Sequence, residues 1–295
     1  MGRREPLERW WGNGVIMFFL TKSLNFNYLC TLMRKLAGLI IWGIVFLVAC
    51  KSEFEKIRTS NDPPRIYKQA LTYYQEGDYQ RALTLIELVI NNYRGQKEYE
   101  DLNYMLADTY FKLKDYELAS TYFKNFANGF LNSARREEAD YMSAYSLYLQ
   151  SPIFRLDQAN TLKAMTALQV FINNYPESKR VSEVTKLMDE LREKQERKAF
   201  DEGLLYFNLK RHQAAIHSFE NMLKDFPETK RAEEARYYIF RSAYDYAANS
   251  IVDRQSERYQ DASKKAEDYL RRYRSGDRTK EVQELQREIK IKLKS

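Results

Sequence analysis

The sequence predicts an all-α solenoid of about five helix pairs closed by a C-terminal helix, and three observations predict it. The 295 residues hold only 10 Gly and 6 Pro, too few for the turn every 8–12 residues or so (about that spacing) that a β-sandwich or barrel needs. The 23 Tyr and 16 Phe, in a chain that is 44% hydrophobic, supply more core material than a disordered chain carries. Five alanines, Ala82, Ala119, Ala164, Ala215 and Ala262, are each followed eleven residues later by an aromatic: Tyr93, Phe130, Tyr175, Phe226 and Tyr273. Four after each alanine stand Ile86, Phe123, Leu168 and Phe219, with Ala266 as the weak fifth member. Seven after come Val89, Phe126, Phe171, Met222 and Tyr269. Offsets of 0, 4, 7 and 11 trace one face of an α-helix.

Before the repeats, Leu36 to Val48 form a 13-residue run without a charge, preceded by Met33-Arg34-Lys35. A membrane-spanning helix needs about 20 apolar residues, so this run matches the h-region of a secretory signal peptide. Its end, Leu47-Val48-Ala49-Cys50, resembles the bacterial lipobox, in which cleavage follows the residue at Ala49 and the next residue, Cys50, carries lipid. Residues 33–49 therefore read as a lipoprotein signal peptide; the alternative is an uncleaved signal anchor with an incidental Cys. Counted from Met1 the signal would be too long, so residues 1–32 are expected to be a start-site extension, not a structural segment. Lys51 follows the Cys where an Asp would retain some lipoproteins at the inner membrane, which favours the outer membrane. Acyl chains on Cys50 would hold the protein to the membrane, because stable anchoring takes more than one chain.

Two Cys rule out a disulfide scaffold. The formal charge of +7 comes from 48 Lys+Arg against 41 Asp+Glu. Six of the basic and two of the acidic side chains lie in residues 1–49, leaving 42 against 39 from Cys50 onward. Nucleic-acid binding thus loses its compositional support.

Residues 50–62 read as a lipidated polar tether. A second helix precedes each repeat alanine. Ala70, Ala107 and Gly203 stand twelve residues before Ala82, Ala119 and Ala215, and Tyr73, Tyr110 and Tyr206 nine before. Gly77-Asp78-Tyr79 and Lys114-Asp115-Tyr116 supply turns between helices. This pattern resembles the tetratricopeptide repeat (TPR), in which small residues and an aromatic pack two helices together. Pro176 and Pro227 close the third and fourth copies, whereas Arg94, Leu131 and Arg274 stand at that place in the others. The repeats are expected at 63–96, 100–133, 135–178, 196–229 and 231–275, with a capping helix at 279–294. Alanine spacings longer than the roughly 34 residues of a plain repeat mark insertions: 150–160, a lengthening of the helices around 186–198, and 249–257.

No catalytic constellation is legible, and no enzyme activity, cofactor or metal is expected. His212 and His217 lie five apart, about 140° around a helix, and cannot chelate one ion together. The glycines form no phosphate loop. Glu137-Glu138 and Glu233-Glu234 fall at helix starts, where they complement the dipole.

Binding is better supported. The TPR resemblance implies that the first helices line a groove, faced by the positions three before and four after each small residue: Tyr67 and Tyr74, Tyr104 and Phe111, Tyr141 and Tyr148, Phe200 and Phe207, then Phe240 with Ala247. Seven residues is two helical turns, so each pair shares a face. The residues alone leave open whether these rings form an aromatic trough for an extended peptide or pack between repeats. The insertion holds further candidates, Pro152, Phe154, Arg155, Asp157 and Gln158, which either meet a partner or plug the solenoid's own side.

The lipobox, the short tether, five such repeats and the SP-x3-LDQ insertion (Ser151-Pro152, then Leu156-Asp157-Gln158) together resemble the BamD family, TPR lipoproteins of the outer-membrane β-barrel assembly (Bam) machinery, in a Bacteroidetes-type form. The resemblance runs from about Met33 to the end, and 79–85, 171–176 and 246–251 carry much of it. It implies a non-enzymatic, lipid-anchored protein of the outer membrane that faces the periplasm. The expected partners are the POTRA domains of a BamA-type barrel subunit, docked by the C-terminal repeats, and unfolded outer-membrane proteins received by the N-terminal ones. Another periplasmic TPR scaffold, such as a coordinator of cell-wall synthesis, is the competing expectation.

Overall fold

The computed structural model describes residues 53–294. The signal peptide, the 1–32 segment, Ala49 and Cys50 lie outside the described residues. The chain separates into a unit of residues 1–61 and a compact unit Asp62–Ser295. Of the first, helix α1 (Glu53–Arg58) is described, within the stretch expected to be a polar tether. It has Glu53 and Glu55 in its first turn and Lys56 and Arg58 in its last, the arrangement that complements a helix dipole. Among the described residues no helix is long and apolar enough to cross a membrane.

The second unit is the expected TPR solenoid: five antiparallel helix pairs and a closing helix, with no strand among the described residues. Pair one is α2 (Pro63–Glu76) with α3 (Tyr79–Val89), extended by a 3-10 turn at Ile90–Tyr93. Pair two is α4 (Glu98–Lys112) with α5 (Tyr116–Gly129), and pair three α6 (Arg136–Gln150) with α7 (Ala159–Asn174). Pair four is α8 (Val181–Asn208) with α9 (His212–Asp225), and pair five α10 (Ala232–Ala248) with α11 (Val252–Arg272). Helix α12 (Thr279–Lys292) closes the stack.

The caps explain where helices begin. Asp62, Asp78 and Asp115 each accept a bond from the backbone N–H three residues on, at 3.2 Å, satisfying a donor the helix cannot. The turn between the helices of a pair needs one left-handed residue. Gly77 supplies it at φ 81° in pair one, but Lys114 (φ 62°) and Lys210 (φ 54°) hold the same conformation in pairs two and four. A side chain there costs on the order of 1–2 kcal/mol, which packing of the flanking helices offsets.

The repeat alanines mark the closest helix–helix approaches. Ala70, Ala82, Ala107, Ala119, Ala164, Ala215 and Ala262 are fully buried. At the equivalent Gly203, a Cβ would stand 2.7 Å from the ring of Phe219, so that crossing is tighter still. Two cores dominate the C-terminal three pairs. One joins Tyr141, Ala144, Ala164, Leu168, Phe171, Val184 and Leu191; the other gathers Phe200, Phe219, Ala235, Phe240, Tyr259, Tyr269 and the cap's Val282 and Ile289.

Two boundaries differ from the sequence-based expectation. The first helix of pair four begins at Val181, ahead of the repeat start expected at 196 and running through the 186–198 stretch where lengthened helices are expected, because no Gly or Pro interrupts the chain between Glu177 and Glu202 and both cores draw residues from one continuous helix. The expected 249–257 insertion is mostly helix: α11 starts at Val252, leaving only a short turn.

Candidate partner-binding face

The first helices of successive pairs meet through a repeated exchange of tyrosines and carboxylates. On α6, the Tyr141 hydroxyl donates to Glu183 of α8 at 2.8 Å, and Tyr148, two turns on, donates to Glu190. On α10, Tyr237 and Tyr244 repeat the arrangement with Glu281 and Glu288 of α12, both at 2.7 Å. Tyr74 of α2 donates to Asp108 of α4 at 2.5 Å. Tyrosines seven apart share one helix face and so do the glutamates seven apart opposite them, which makes each set a two-rung ladder.

Linkers between pairs add a second repeated device. Ser133, Ser178 and Thr229 donate to Glu100, Glu137 and Glu196 at 2.7, 2.5 and 2.5 Å. Two residues later, the backbone N–H of Arg135, Arg180 or Arg231 donates back to the same hydroxyl. Each guanidinium then lies over the aromatic three before a small residue: Arg135 over Tyr104 (4.8 Å), Arg180 over Tyr141 (4.1 Å) and Arg231 over Phe200 (3.2 Å). Arg278 lies over Tyr237 at 5.0 Å. Such contacts are worth about 0.5–2 kcal/mol each, and carboxylates fix the arginines from the other side: Asp101 for Arg135, Glu138 for Arg180 and Glu234 for Arg231.

These contacts divide the expected groove residues. Tyr141, Phe200 and Phe240 are buried, at 4%, 0% and 0% exposure, and belong to the cores between helices. The arginine of the following linker covers the first two. Tyr67, Tyr74, Tyr104, Phe111, Tyr148 and Phe207 are half-buried. Tyr104 leans edge-on against Phe123 and Phe126, and Phe111 faces Tyr145 of the next first helix at 6.1 Å.

Pair five departs by three residues. The ladder and the Arg278 contact align Tyr237 and Tyr244 with Tyr141 and Tyr148, so Phe240 occupies the small-residue position and Ala247 is fully buried. The expected pair Phe240 and Ala247 is therefore core, and Tyr237 with Tyr244 takes its place. Sequence reasoning missed the arginines too, although a signal existed: Arg135, Arg180, Arg231 and Arg278 each stand sixteen residues after a repeat alanine.

The insertion folds onto α8. Gln158 is buried and its amide donates to the carbonyls of Ile153 and Leu156 at 2.9 and 3.0 Å. Asp157 accepts from the Ala159 N–H and starts α7. Lys198 reaches the Leu156 carbonyl at 2.7 Å and Lys194 the Ser151 hydroxyl at 2.6 Å. Phe154 lies beneath Arg197 (4.2 Å) and beside Arg155 (5.1 Å). Pro152 is half-buried, Arg155 exposed, and Ile153 and Leu156 project outward. Gln158 and Asp157 thus shape the loop, while its apolar tips stay uncovered.

The ladder sets the titration of its tyrosines. Hydrogen bonding to Glu190 and burial push Tyr148 up to about 12. Burial, then a hydrogen bond to a carboxylate, does the same for Tyr237, Tyr244 and Tyr175. A folded pKa above the free value near 10 means that the folded chain holds the proton more tightly. The stabilisation is fully present below about pH 10 and is lost as pH rises toward 12. Urea denaturation midpoints are therefore expected to be flat from pH 7 to about 9.5 and to fall between about pH 10 and 12, with part of the tyrosinate absorbance appearing only in that upper window. Titration of every tyrosine near its free value with no loss of stability would show that the ladder is absent in solution.

Among the described residues no group of three or more His, Cys, Asp or Glu could hold a metal ion. The model of a protein family described as "YfiO: Outer membrane lipoprotein" matches residues 59–253. No curated protein sequence matches the chain. Solved structures similar to it include a TPR repeats protein from Bacteroides fragilis, at 16% identity over 78% of this chain and 98% of that one, with a TM-score of 0.36. Another is the TPR domain of P58(IPK), at 14% identity over 84% of this chain and 72% of that one, with a TM-score of 0.37.

Proposed function

Because the chain belongs to the YfiO family of outer membrane lipoproteins, we propose that it is a non-catalytic adaptor of the machinery that assembles β-barrel proteins in that membrane. In this reading Cys50 carries the lipid that holds the solenoid at the periplasmic face of the outer membrane. Pairs three to five dock the POTRA domains of a BamA-type barrel subunit, and the first helices of pairs one and two receive extended segments of unfolded barrel proteins. The family match over residues 59–253 is the observation that carries the reading. The half-buried Tyr74 and Phe111 of pairs one and two suit it, since both rings offer apolar contact and Tyr74 stands beside the Asp108 carboxylate, an acceptor for an extended backbone.

Affinity purification from detergent-solubilised membranes tests the docking. The full chain is expected to recover the barrel subunit, and a chain ending after pair two to lose that recovery while staying on the membrane. Recovery of penicillin-binding proteins in place of the barrel subunit would instead favour a coordinator of cell-wall synthesis. For the anchor, Cys50→Ala is expected to abolish palmitate labelling and leave the precursor uncleaved. Normal labelling of that variant would sink the lipoprotein assignment.

A further inference from the structure

Beyond docking and delivery, the geometry points to a lipid-facing edge: the turns within pairs four and five insert aliphatic side chains into a bilayer while an adjoining cleft takes the phosphate of an anionic phospholipid headgroup. In a stack of antiparallel pairs, the turns joining the two helices of each pair fall along one edge and the linkers between pairs along the other. In pairs one and two those turns are polar, built on Gly77-Asp78 and Lys114-Asp115. In pairs four and five they carry Leu209, Ile251 and Val252, at 59%, 70% and 81% exposure, and Leu205 stands one turn before the end of α8 at 54%. Ile153 and Leu156 continue the edge in pair three. Single exposed aliphatics need no explanation, but several along one edge mark a contact surface.

The cleft, about 980 Å³, lies between the turn leading into α9 and the end of α10; Phe207, Lys210, Arg211, His212, Tyr246 and Asn249 are among its lining residues. Its electrostatics favour an anion for two separate reasons. Neither the Lys210 nor the Arg211 side chain is engaged by a carboxylate among the described residues. Helix α9 starts at Arg211 with no side-chain cap, where pairs one and two have Asp78 and Asp115, so its first N–H groups remain free toward the cleft. Asp245, the acid in the lining, is held by Arg241 at 3.2 Å.

The shape selects a bilayer over a peptide. The exposed Leu209, Ile251 and Val252 stand at the turns and are not among the residues lining the cleft, and exposed aliphatics beside cations are the pattern of an interfacial membrane contact. The occupant assigned is thus the surface of a membrane containing anionic phospholipid, consistent with a family of outer membrane lipoproteins.

All three tryptophans, Trp10, Trp11 and Trp42, lie outside the described residues, which permits a direct test on the full chain. In a background with those three changed to Phe, Val252→Trp and Leu131→Trp each place one reporter, the latter on the opposite edge after α5. The variants are reconstituted in vesicles of phosphatidylcholine brominated on its acyl chains, with or without phosphatidylglycerol. With phosphatidylglycerol present, quenching of Val252→Trp is expected to exceed that of Leu131→Trp at least about threefold. It should fall to the Leu131→Trp level in vesicles without phosphatidylglycerol, and also when Lys210→Glu and Arg211→Glu are added at unchanged helicity. Soluble glycerophosphate should leave it unchanged. Equal quenching at the two positions overturns the proposal, as it would if a protein covered this edge. Displacement by glycerophosphate also overturns it, assigning the cleft to a soluble phosphate. No barrel subunit is present in these vesicles, so the outcome is separate from that of the docking experiment.

Discussion

Phe219→Ala is expected to lower the stability of the solenoid by about 3–5 kcal/mol, a fifth or more of the roughly 5–15 kcal/mol that a folded domain holds in total. The Phe219 ring is fully buried. It meets Phe200 edge-on at 5.3 Å and stacks on Tyr238 at 5.4 Å, and its far edge lies against the backbone at Gly203. None of these walls can close over the space the ring leaves. Rings are rigid, a glycine has no side chain to move, and Arg231 already presses Phe200 from the other side at 3.2 Å. A cavity that cannot collapse adds its own cost to the lost transfer free energy. Leu205→Ala, at an exposed position on the same helix as Gly203, should by contrast stay within about 0.5 kcal/mol of the parent. Urea midpoints of the two variants measure the difference. A loss below about 1 kcal/mol for Phe219→Ala would mean that this helix crossing is looser than the structure has it.

That crossing also shows why the fold could be read from the sequence and the binding face only in part. Gly203, Ala215 and Phe219 are spaced by contacts between neighbouring helices of one pair, so their periodicity is written locally along the chain. The aromatics three before the small residues obey the same periodicity, but what covers them comes from the next linker. Arg180 reaches Tyr141 from thirty-nine residues away and Arg231 reaches Phe200 from thirty-one. No single-helix pattern separates a ring under a guanidinium from one facing solvent. Pair five failed for a different reason. Phe240 and Ala243 are one turn apart and both buried, so the small residue drew the register to itself, and only the Tyr237–Glu281 and Tyr244–Glu288 bonds reveal the offset. The edge of exposed aliphatics was invisible for a simpler reason: Leu209 and Ile251 are ordinary apolar residues until the structure puts them at turn tips.

The length of α8 gives the remaining prediction. Val184 and Leu191 belong to the core of pair three, and Phe200, nine residues further on, to the core shared by pairs four and five. One helix therefore carries mechanical and thermodynamic continuity between two cores, and in a stack whose units touch only their neighbours that continuity is what couples them. Glu193 is exposed and sits between the two sets of anchors. Proline at 193 would remove the N–H bond back to residue 189 and drive its ring against that carbonyl, at a cost of about 3 kcal/mol or more. The helix can relieve this by kinking, which its two halves resist because each is held in a separate core. Calorimetry of Glu193→Pro is expected to show the single transition of the parent chain split in two, with the lower-melting half well below the parent temperature. Glu193→Ala should leave one transition, because alanine keeps the bond and favours the helix. If docking requires pairs three to five as one rigid body, Glu193→Pro should also weaken recovery of the barrel subunit at a temperature where both halves remain folded. A single transition at the parent temperature in the proline variant would show that the two cores are coupled through α7 and the insertion loop, and not through α8.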